Sequence, residues 1–511
     1  MKNKNKFYIT TPIYYPSAKP HMGHAYSSIV ADVFARFKRL DNNEVFFLTG
    51  TDEHGLKIEN AAKKNNQSPI DFCNDISKTF RDLTKILNLS NDDFIRTTET
   101  RHHKTVHLLW NKLLKNGDIF LSKYKGWYSV SDEAYYQDDE ILNEGKNKIA
   151  KISRSKVEWV EEESFFFKLS AWQDRLLEFY NNNKDFIMPI SRRNEVISFV
   201  KGGLKDLSVS RTSFNWGIKV PNNNKHVIYV WLDALTNYLS AINFQNKDNS
   251  LYRKFWPESL HIIGKDILRF HAVYWPAFLL SAGIHPPKKI FSHGWILSGD
   301  EKMSKSKGNI LEPIDLINEF GLDQIRYYLM KEVSLGNDGK ISRENLILCI
   351  NSDLANNFGN LCQRILSFVN SKCENKIPTP KEFTSEDNEL LNSMTSNIEK
   401  IRKLMTNQNL NEYIKFTIDY SFLANKYIND MEPWKLFKTD KDRMNTILYV
   451  ALESIRKISI LLSPVMPNST NNILTMLNID FKKQDLDSVS NNLILKPGQD
   501  LNKIKIIFKK F

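Results

Sequence analysis

Two histidines, His21 and His24, flank Gly23 in the stretch "PHMGHAY". Three chemistries fit that spacing. A metal would use both imidazoles but needs two more ligands on a rigid platform. His102, His103 and His107 supply further nitrogens, yet no third ligand accompanies them locally. A phosphate would take hydrogen bonds from both rings. Gly23 lets the backbone turn and approach a ligand closely. A helix starting at about Ala25 would point its N–H groups and positive dipole end at the same spot. Imidazoles placed there gain positive character as negative charge builds nearby. The third possibility is two solvated or internally satisfied rings with no function. A second basic element, "SGDEKMSKSKGNIL", carries Lys302, Lys305 and Lys307 among serines, bracketed by Gly299 and Gly308. Alone it reads as a solvated loop; its glycines also allow a flap whose lysines neutralise phosphates during a reaction.

The surrounding elements can position both. "KFYITT" reads as a strand, and "HAYSSIVADVFARFKRL" places Ile29, Val33, Phe37 and Leu40 at helical spacing. "EVFFLTG" reads as an apolar strand ending in glycine. Such a βαβ unit predicts a parallel sheet with ligands at the carboxyl ends of its strands. Both "TTPIYYPSAKPHMGH" and "GTDEHG" fall at such ends. From about Gly117 to Arg211 aromatics alternate with charges, which suggests a small inserted domain. The α/β pattern resumes with "HVIYVWLDALTNYL" and "KKIFSHGWIL", and long helical patterns dominate after about Asn345. The fold class is therefore α/β: a Rossmann-like, doubly wound parallel sheet split by an insertion and followed by an α-helical bundle. The expected boundaries are 1–116 and 213–290 for the sheet domain, 117–212 for the insertion, 291–345 for a lysine-bearing linker and 346–511 for the helical domain.

Composition limits the partners. The chain has 511 residues, 41% hydrophobic, enough for several folded domains. A net charge of +12 suits a polyanion without requiring one. Cys73, Cys349, Cys362 and Cys373 are widely separated, with no CxxC pair, and read as reduced thiols in a cytosolic protein. "MKNKNK" is followed by polar, proline-rich sequence where a signal peptide needs an apolar core. Charges interrupt every long apolar stretch, so no membrane span is expected.

HxGH at the first helix of a βαβ unit, with "KMSKS" after the sheet resumes, resembles the class I aminoacyl-tRNA synthetases. "PHMGH" departs from the commonest form only at Met22, and "KMSKS" matches completely. The segment between the halves is too short for the editing insertion of the isoleucine, valine and leucine enzymes. "TTPIYYPSAKPHMGHAY", "FLTGTDEHGLKI", "KGWYSVSDEAYY", "VYWPAFL" and "MEPWKL" are similar to the methionyl-tRNA synthetase family nearly end to end. An aromatic-rich pocket suits a long thioether, because sulfur packs well against rings and a polar tip can tell it from a methylene.

That resemblance implies a set of site residues. Pro20, His21, Gly23, His24, Gly264, Asp266, Lys302, Met303, Ser304, Lys305 and Ser306 would contact ATP. His21, His24, Lys302 and Lys305 would stabilise the phosphates, with Mg²⁺ assisting. Pro12, Ile13, Tyr15, Trp231, Leu235, Tyr238, Ile267 and His271 would line a methionine pocket, with Asp52 holding the ammonium. Leu235 stands where some members have proline. Arg211 would contact the reacting groups. Asn356, Asn360 and Arg364 recur every fourth residue and would form one helical stripe; with Pro433 and the stacking Trp434 they would read a CAU anticodon of tRNA(Met).

Many members also carry zinc-binding cysteines in the insertion. Here Ser129 and Asp132 stand where a CxxC pair would lie, so no structural zinc is expected, and Trp127, Tyr128, Tyr135, Tyr136 and Trp159 are candidates for a small replacement core. The chain ends without the appended domain that dimerises some relatives, which suggests a monomer. No DNA partner is expected, and the location is cytoplasmic. Two rivals remain: a small-molecule nucleotidyltransferase, which shares HxGH but is usually shorter and lacks KMSKS with a helical tail, and a non-catalytic RNA-binding module, against which the intact His21, His24 and Lys305 argue.

Overall fold

The computed structural model describes residues 4–17, 19–132, 134–136, 138–145, 147–298, 301–302 and 312–511. The chain divides into two compact units. One comprises Lys6–Pro20 and Phe46–His293; the other comprises Met1–Asn5, His21–Val45 and Gly294–Phe511.

The first unit is built on a six-stranded parallel sheet. Its strand order is Asp93–Arg96, Glu44–Thr51, Lys6–Thr10, Ser259–Gly264, Lys289–His293 and Ile187–Met188. Ser259–Gly264 is buried along its whole length, as a strand covered on both faces must be. Chain order reverses between Lys6–Thr10 and Ser259–Gly264, the switch point where a doubly wound sheet opens a ligand crevice. The expected fold class is thus present.

The insertion carries its own antiparallel sheet, with Ile119–Ser129 paired along most of its length to Lys156–Phe167. Part of the span expected for it returns to the main sheet: Ile187–Met188 pairs in parallel with Lys289–His293 as the edge strand. A two-residue strand leaves no periodicity to read, so sequence patterning could not reveal it. Among the described side chains, the expected aromatic replacement core is not closed around Trp159. Trp159 is 54% exposed and meets Trp127 edge-on at 5.1 Å. Among the described side chains of that group, Tyr128 is buried and Trp127 and Tyr136 are half-buried.

In the second unit the first helix runs Met22–Leu40 and is buried on every side from Ala25 to Ala35, the polar Ser27, Ser28 and Asp32 included. Ile29, Val33 and Phe37 are buried as their spacing predicts, while Leu40 at the helix end is half-buried. A small sheet places Ile296–Ser298 between Glu301–Lys302 and Gly339–Ile341. Beyond it the chain is helical, with Leu410–Met431 and Lys441–Leu462 each 22 residues long. Lys441–Leu462 is buried on every side from Thr446 onward, including the ion pair Arg456–Glu453. Among the described residues no helix is long and apolar enough to cross a membrane. The four cysteines form no disulfide; burial raises the pKa of each thiol, that of Cys349 to about 12, which keeps them unreactive.

Candidate active site

In the second unit, His21 is not a loop residue ahead of a helix at Ala25. It is the N-cap itself, with extended backbone, and the helix starts at Met22. Its Nδ1 accepts the N–H of Gly23 at 3.1 Å, while the N–H of His21 donates to Nδ1 of His24 at 3.0 Å. This is a capping box built from two imidazoles where Ser/Thr and Glu are usual. The rings lie 3.8 Å apart, tilted by 33°. Gly23 has a specific steric reason: a Cβ there would sit 2.9 Å from Cε1 of His21. The glycine makes room for the capping ring; it does not supply a turn. Desolvation, and then the neighbouring His21, hold the His24 pKa well below the usual imidazole value. His24 is therefore neutral near pH 7, and the cap fixes its proton on Nε2.

Lys302 ends the short strand Glu301–Lys302. Its side chain, and the expected ATP contacts Met303, Ser304, Lys305 and Ser306, lie outside the described residues.

The first unit brings the expected amino-acid residues together from four segments. Pro12, Ile13 and Tyr15 leave the carboxyl end of Lys6–Thr10, and the N–H of Asp52 donates to Tyr14 O at 2.9 Å. The Tyr15 hydroxyl donates to His54 O at 2.9 Å. Trp231 and Leu235 stand on the helix Val230–Leu235, and Tyr238 on the next turn. Trp231 stacks flat on Phe270, with centroids 3.6 Å apart.

Tyr238 donates its hydroxyl to Nε2 of His271 at 2.8 Å, and Nδ1 of His271 donates to Ile267 O at 2.9 Å. That arrangement requires a neutral His271; burial lowers its pKa to about 4, against the pull of the Ile267 carbonyl and Asp266. Asp52, Leu235, Tyr238 and His271 are buried, whereas Pro12, Ile13, Tyr15, Trp231 and Ile267 are half-buried. Gly264 ends its strand under the exposed Asp266, whose Oδ1 would lie 2.6 Å from a Cβ at position 264. Arg211 is almost wholly buried. It lies between the rings of Tyr128 and Tyr229, at 4.8 and 4.7 Å, and donates to Ser208 Oγ and Ser210 O.

His102 and His103 take no part in a metal site, and among the described residues no group of histidines, cysteines and carboxylates could hold an ion. His102 donates Nε2–H to Asp233 at 2.7 Å, and His107 bonds to Lys219 O at 3.0 Å.

The insertion brings Ser129 and Asp132, expected at the zinc-ligand positions, together with Ser153 and Ser155. Asp132 Oδ2 accepts from Ser153, Ser155 and Tyr136, and Ser129 donates to Ser155 Oγ at 2.9 Å. Three hydroxyls and one carboxylate, already bonded to one another, do not fit Zn²⁺, which takes thiolate and imidazole ligands at structural sites. Sequence reasoning found Ser129 and Asp132 but missed Ser153 and Ser155, because S-x-S does not echo a CxxC spacing.

The stripe Asn356, Asn360 and Arg364 is not one regular α-helix. Ile350–Gly359 is π-helical and the α-helix begins at Asn360, so a 40° step per four residues does not hold across the first interval. Asn356 and Asn360 are nonetheless exposed. Arg364 donates to Asn429 Oδ1 at 2.8 Å and Asn425 Oδ1 at 3.2 Å, with its guanidinium 5.8 Å from the ring of Trp434. Trp434 is 41% exposed, and Pro433 before it is buried. Asn425 and Asn429 sit one turn apart on Leu410–Met431, a pairing that local sequence could not signal.

The family model described as tRNA synthetases class I (M) matches residues 7–145 and 142–366. The model for the anticodon binding domain of methionyl tRNA ligase matches 377–511. The methionine–tRNA ligase of Rickettsia felis is 50% identical over 511 residues, 99% of each chain. That of Rhizobium meliloti is 49% identical, over 100% of this chain and 99% of its own. The solved methionyl-tRNA synthetase of Mycobacterium tuberculosis in complex with methionyl-adenylate superposes with a TM-score of 0.96 at 45% identity, over 99% of both chains. The chain belongs to the methionyl-tRNA synthetase family.

Proposed function

We infer that this chain activates L-methionine with ATP and transfers the methionyl group to the 3′-terminal adenosine of tRNA(Met). The observation that carries this is about 50% identity to methionine–tRNA ligases across essentially the whole of both chains. A close structural neighbour holding methionyl-adenylate supports the first step.

In that step the methionine carboxylate attacks the α-phosphorus of Mg²⁺-bound ATP in line, and pyrophosphate leaves. Pro20, Gly23, Gly264 and Asp266 contact the nucleotide. His21 and His24 donate Nε2–H to the phosphates, and Lys302 and Lys305, with Met303, Ser304 and Ser306 around them, neutralise the leaving group. Asp52 receives the ammonium. Pro12, Ile13, Tyr15, Trp231, Leu235, Tyr238, Ile267 and His271 enclose the side chain. The Tyr238 hydroxyl, donated to a neutral His271, keeps its lone pairs and supplies a polar tip among rings that suit a thioether. Arg211 serves the adenylate after exchanging its present partners.

In the second step the 2′-hydroxyl of the terminal adenosine attacks the activated carbonyl carbon and AMP leaves. Asn356, Asn360, Arg364, Pro433 and Trp434 read the CAU anticodon; an exposed indole beside a guanidinium is suited to a splayed base. The chain acts as a monomer in the cytoplasm and carries no structural zinc, in keeping with the hydroxyl-rich donor set around Asp132. Methionine-dependent ATP–pyrophosphate exchange tests the catalytic reading: exchange with a different amino acid, or with none, overturns it. Stoichiometric zinc by metal analysis overturns the last point.

A further inference from the structure

Four side chains behind the expected methionine pocket form one buried hydrogen-bonded chain. Asp233 has no exposed surface, and each of its oxygens takes an imidazole: Nδ1 of His54 at 2.6 Å and Nε2 of His102 at 2.7 Å. The other nitrogen of His102 lies 2.9 Å from Ser240 Oγ. The Ser240 hydroxyl donates to Thr236 O at 3.0 Å, which ties this end of the chain to the helix backbone. His102 thus spans Asp233 and Ser240, with one ring nitrogen on each. Burial pushes the Asp233 pKa up, but the two imidazoles outweigh it and hold the group well below the carboxylate range.

The placement of this chain gives it a role. His54 lies two residues after Asp52, and its carbonyl accepts the Tyr15 hydroxyl. Asp233 lies two residues after Trp231 and two before Leu235, and Ser240 lies two after Tyr238. His102, on the helix Thr100–Lys115, joins these segments while belonging to none of them. A buried carboxylate held by two imidazoles gives little net stability compared with apolar packing, but it fixes direction, because a misaligned partner leaves a buried charge unsatisfied.

We propose that Asp233 and His102 are positioning residues for methionine, holding the Asp52 loop, the Trp231–Leu235 helix and the Tyr238 turn in one register. The proposal rests on the methionine-pocket reading above. An amide at 233 cannot accept from both imidazoles, since its NH₂ would face one of their N–H groups.

Exchange kinetics on the full chain test it. Asp233→Asn should raise the KM for methionine about tenfold or more, with the KM for ATP and kcat changed by less than about threefold. Equal rises in both KM values, or a fall in kcat alone, would overturn the proposal. If that variant does not fold, Ser240→Ala removes only the outermost partner and should give the same split at about threefold; no split overturns it. Wild-type chain that exchanges without regard to methionine would sink the functional reading, and this proposal with it, whereas wild-type exchange with an unselective Asp233→Asn effect sinks this proposal alone.

Discussion

The backbone N–H of His21 donates to Nδ1 of His24 at 3.0 Å, so the second histidine of HxGH caps the first. With His21 accepting from Gly23, each ring uses one nitrogen on its own helix and directs its proton to Nε2. The pair is thus a set of neutral donors at a positive helix end, where a phosphate is favoured. Lowering of the His24 pKa by desolvation keeps it so through neutral pH.

Substitution at His24 should separate the two jobs. Asparagine places its carbonyl oxygen near the position of Nδ1 and keeps the cap, but it has nothing in place of Nε2–H. His24→Asn should lose about 10²–10³-fold in pyrophosphate exchange with little change in melting temperature. His24→Ala should lose the same activity and also about 1 kcal/mol of stability from the missing cap. Equal melting temperatures for the two variants would show that the cap carries no weight.

What the sequence made legible was local. Helical spacing in "IVADVFARF" and apolar runs such as "EVFFLTG" define elements through their own side chains, and the sheet followed from them. Gly23 and His21 were visible as residue types, but their contact depends on a ring folding back over a helix start, which no spacing reports. Asp233 lies 131 positions from His102 and 179 from His54. Partners so far apart meet only after the sheet forms, and an Asp in "VWLDAL" looks like any residue at a helix start. The same holds for Arg364 with Asn425 and Asn429, and for Ser153 and Ser155 around Asp132.

Asp32 on the first helix and Arg326 form a fully buried ion pair at 2.6 Å. Arg326 also donates to Val465 O at 2.8 Å and Pro464 O at 3.0 Å. Arg326→Met would remove the fully buried cation from the carboxylate and leave the half-buried Arg36 beside it, at 2.7 Å. The expected loss is about 3–5 kcal/mol in urea unfolding. A loss under about 1 kcal/mol would mean that water or Arg36 fully replaces it.

Trp434 and Arg364 lie on the helical part of the chain, in contact with each other. If they read the anticodon, Trp434→Ala should cut the rate of tRNA charging at least about tenfold, the cost of one lost stacking contact, and leave tRNA-free pyrophosphate exchange unchanged. Equal losses in both assays would place its effect on folding.

Lys457 offers a test by pH. It has no exposed surface, donates to Leu391 O at 3.1 Å and to Asn492, and lies beside Arg456. Burial, and then repulsion from Arg456, lower its pKa from 10.5 to about 7, with Glu453 opposing. Between those values the unfolded chain holds a proton that the folded chain has released, so stability rises with pH there and the penalty is fully present below about pH 7. Relative to Lys457→Met, the wild-type chain should gain up to about 1.4 kcal/mol per pH unit from pH 7 to 9. A flat difference over that range would mean that the amine stays charged in the folded protein, held by the Leu391 carbonyl and the Asn492 amide strongly enough to outweigh burial.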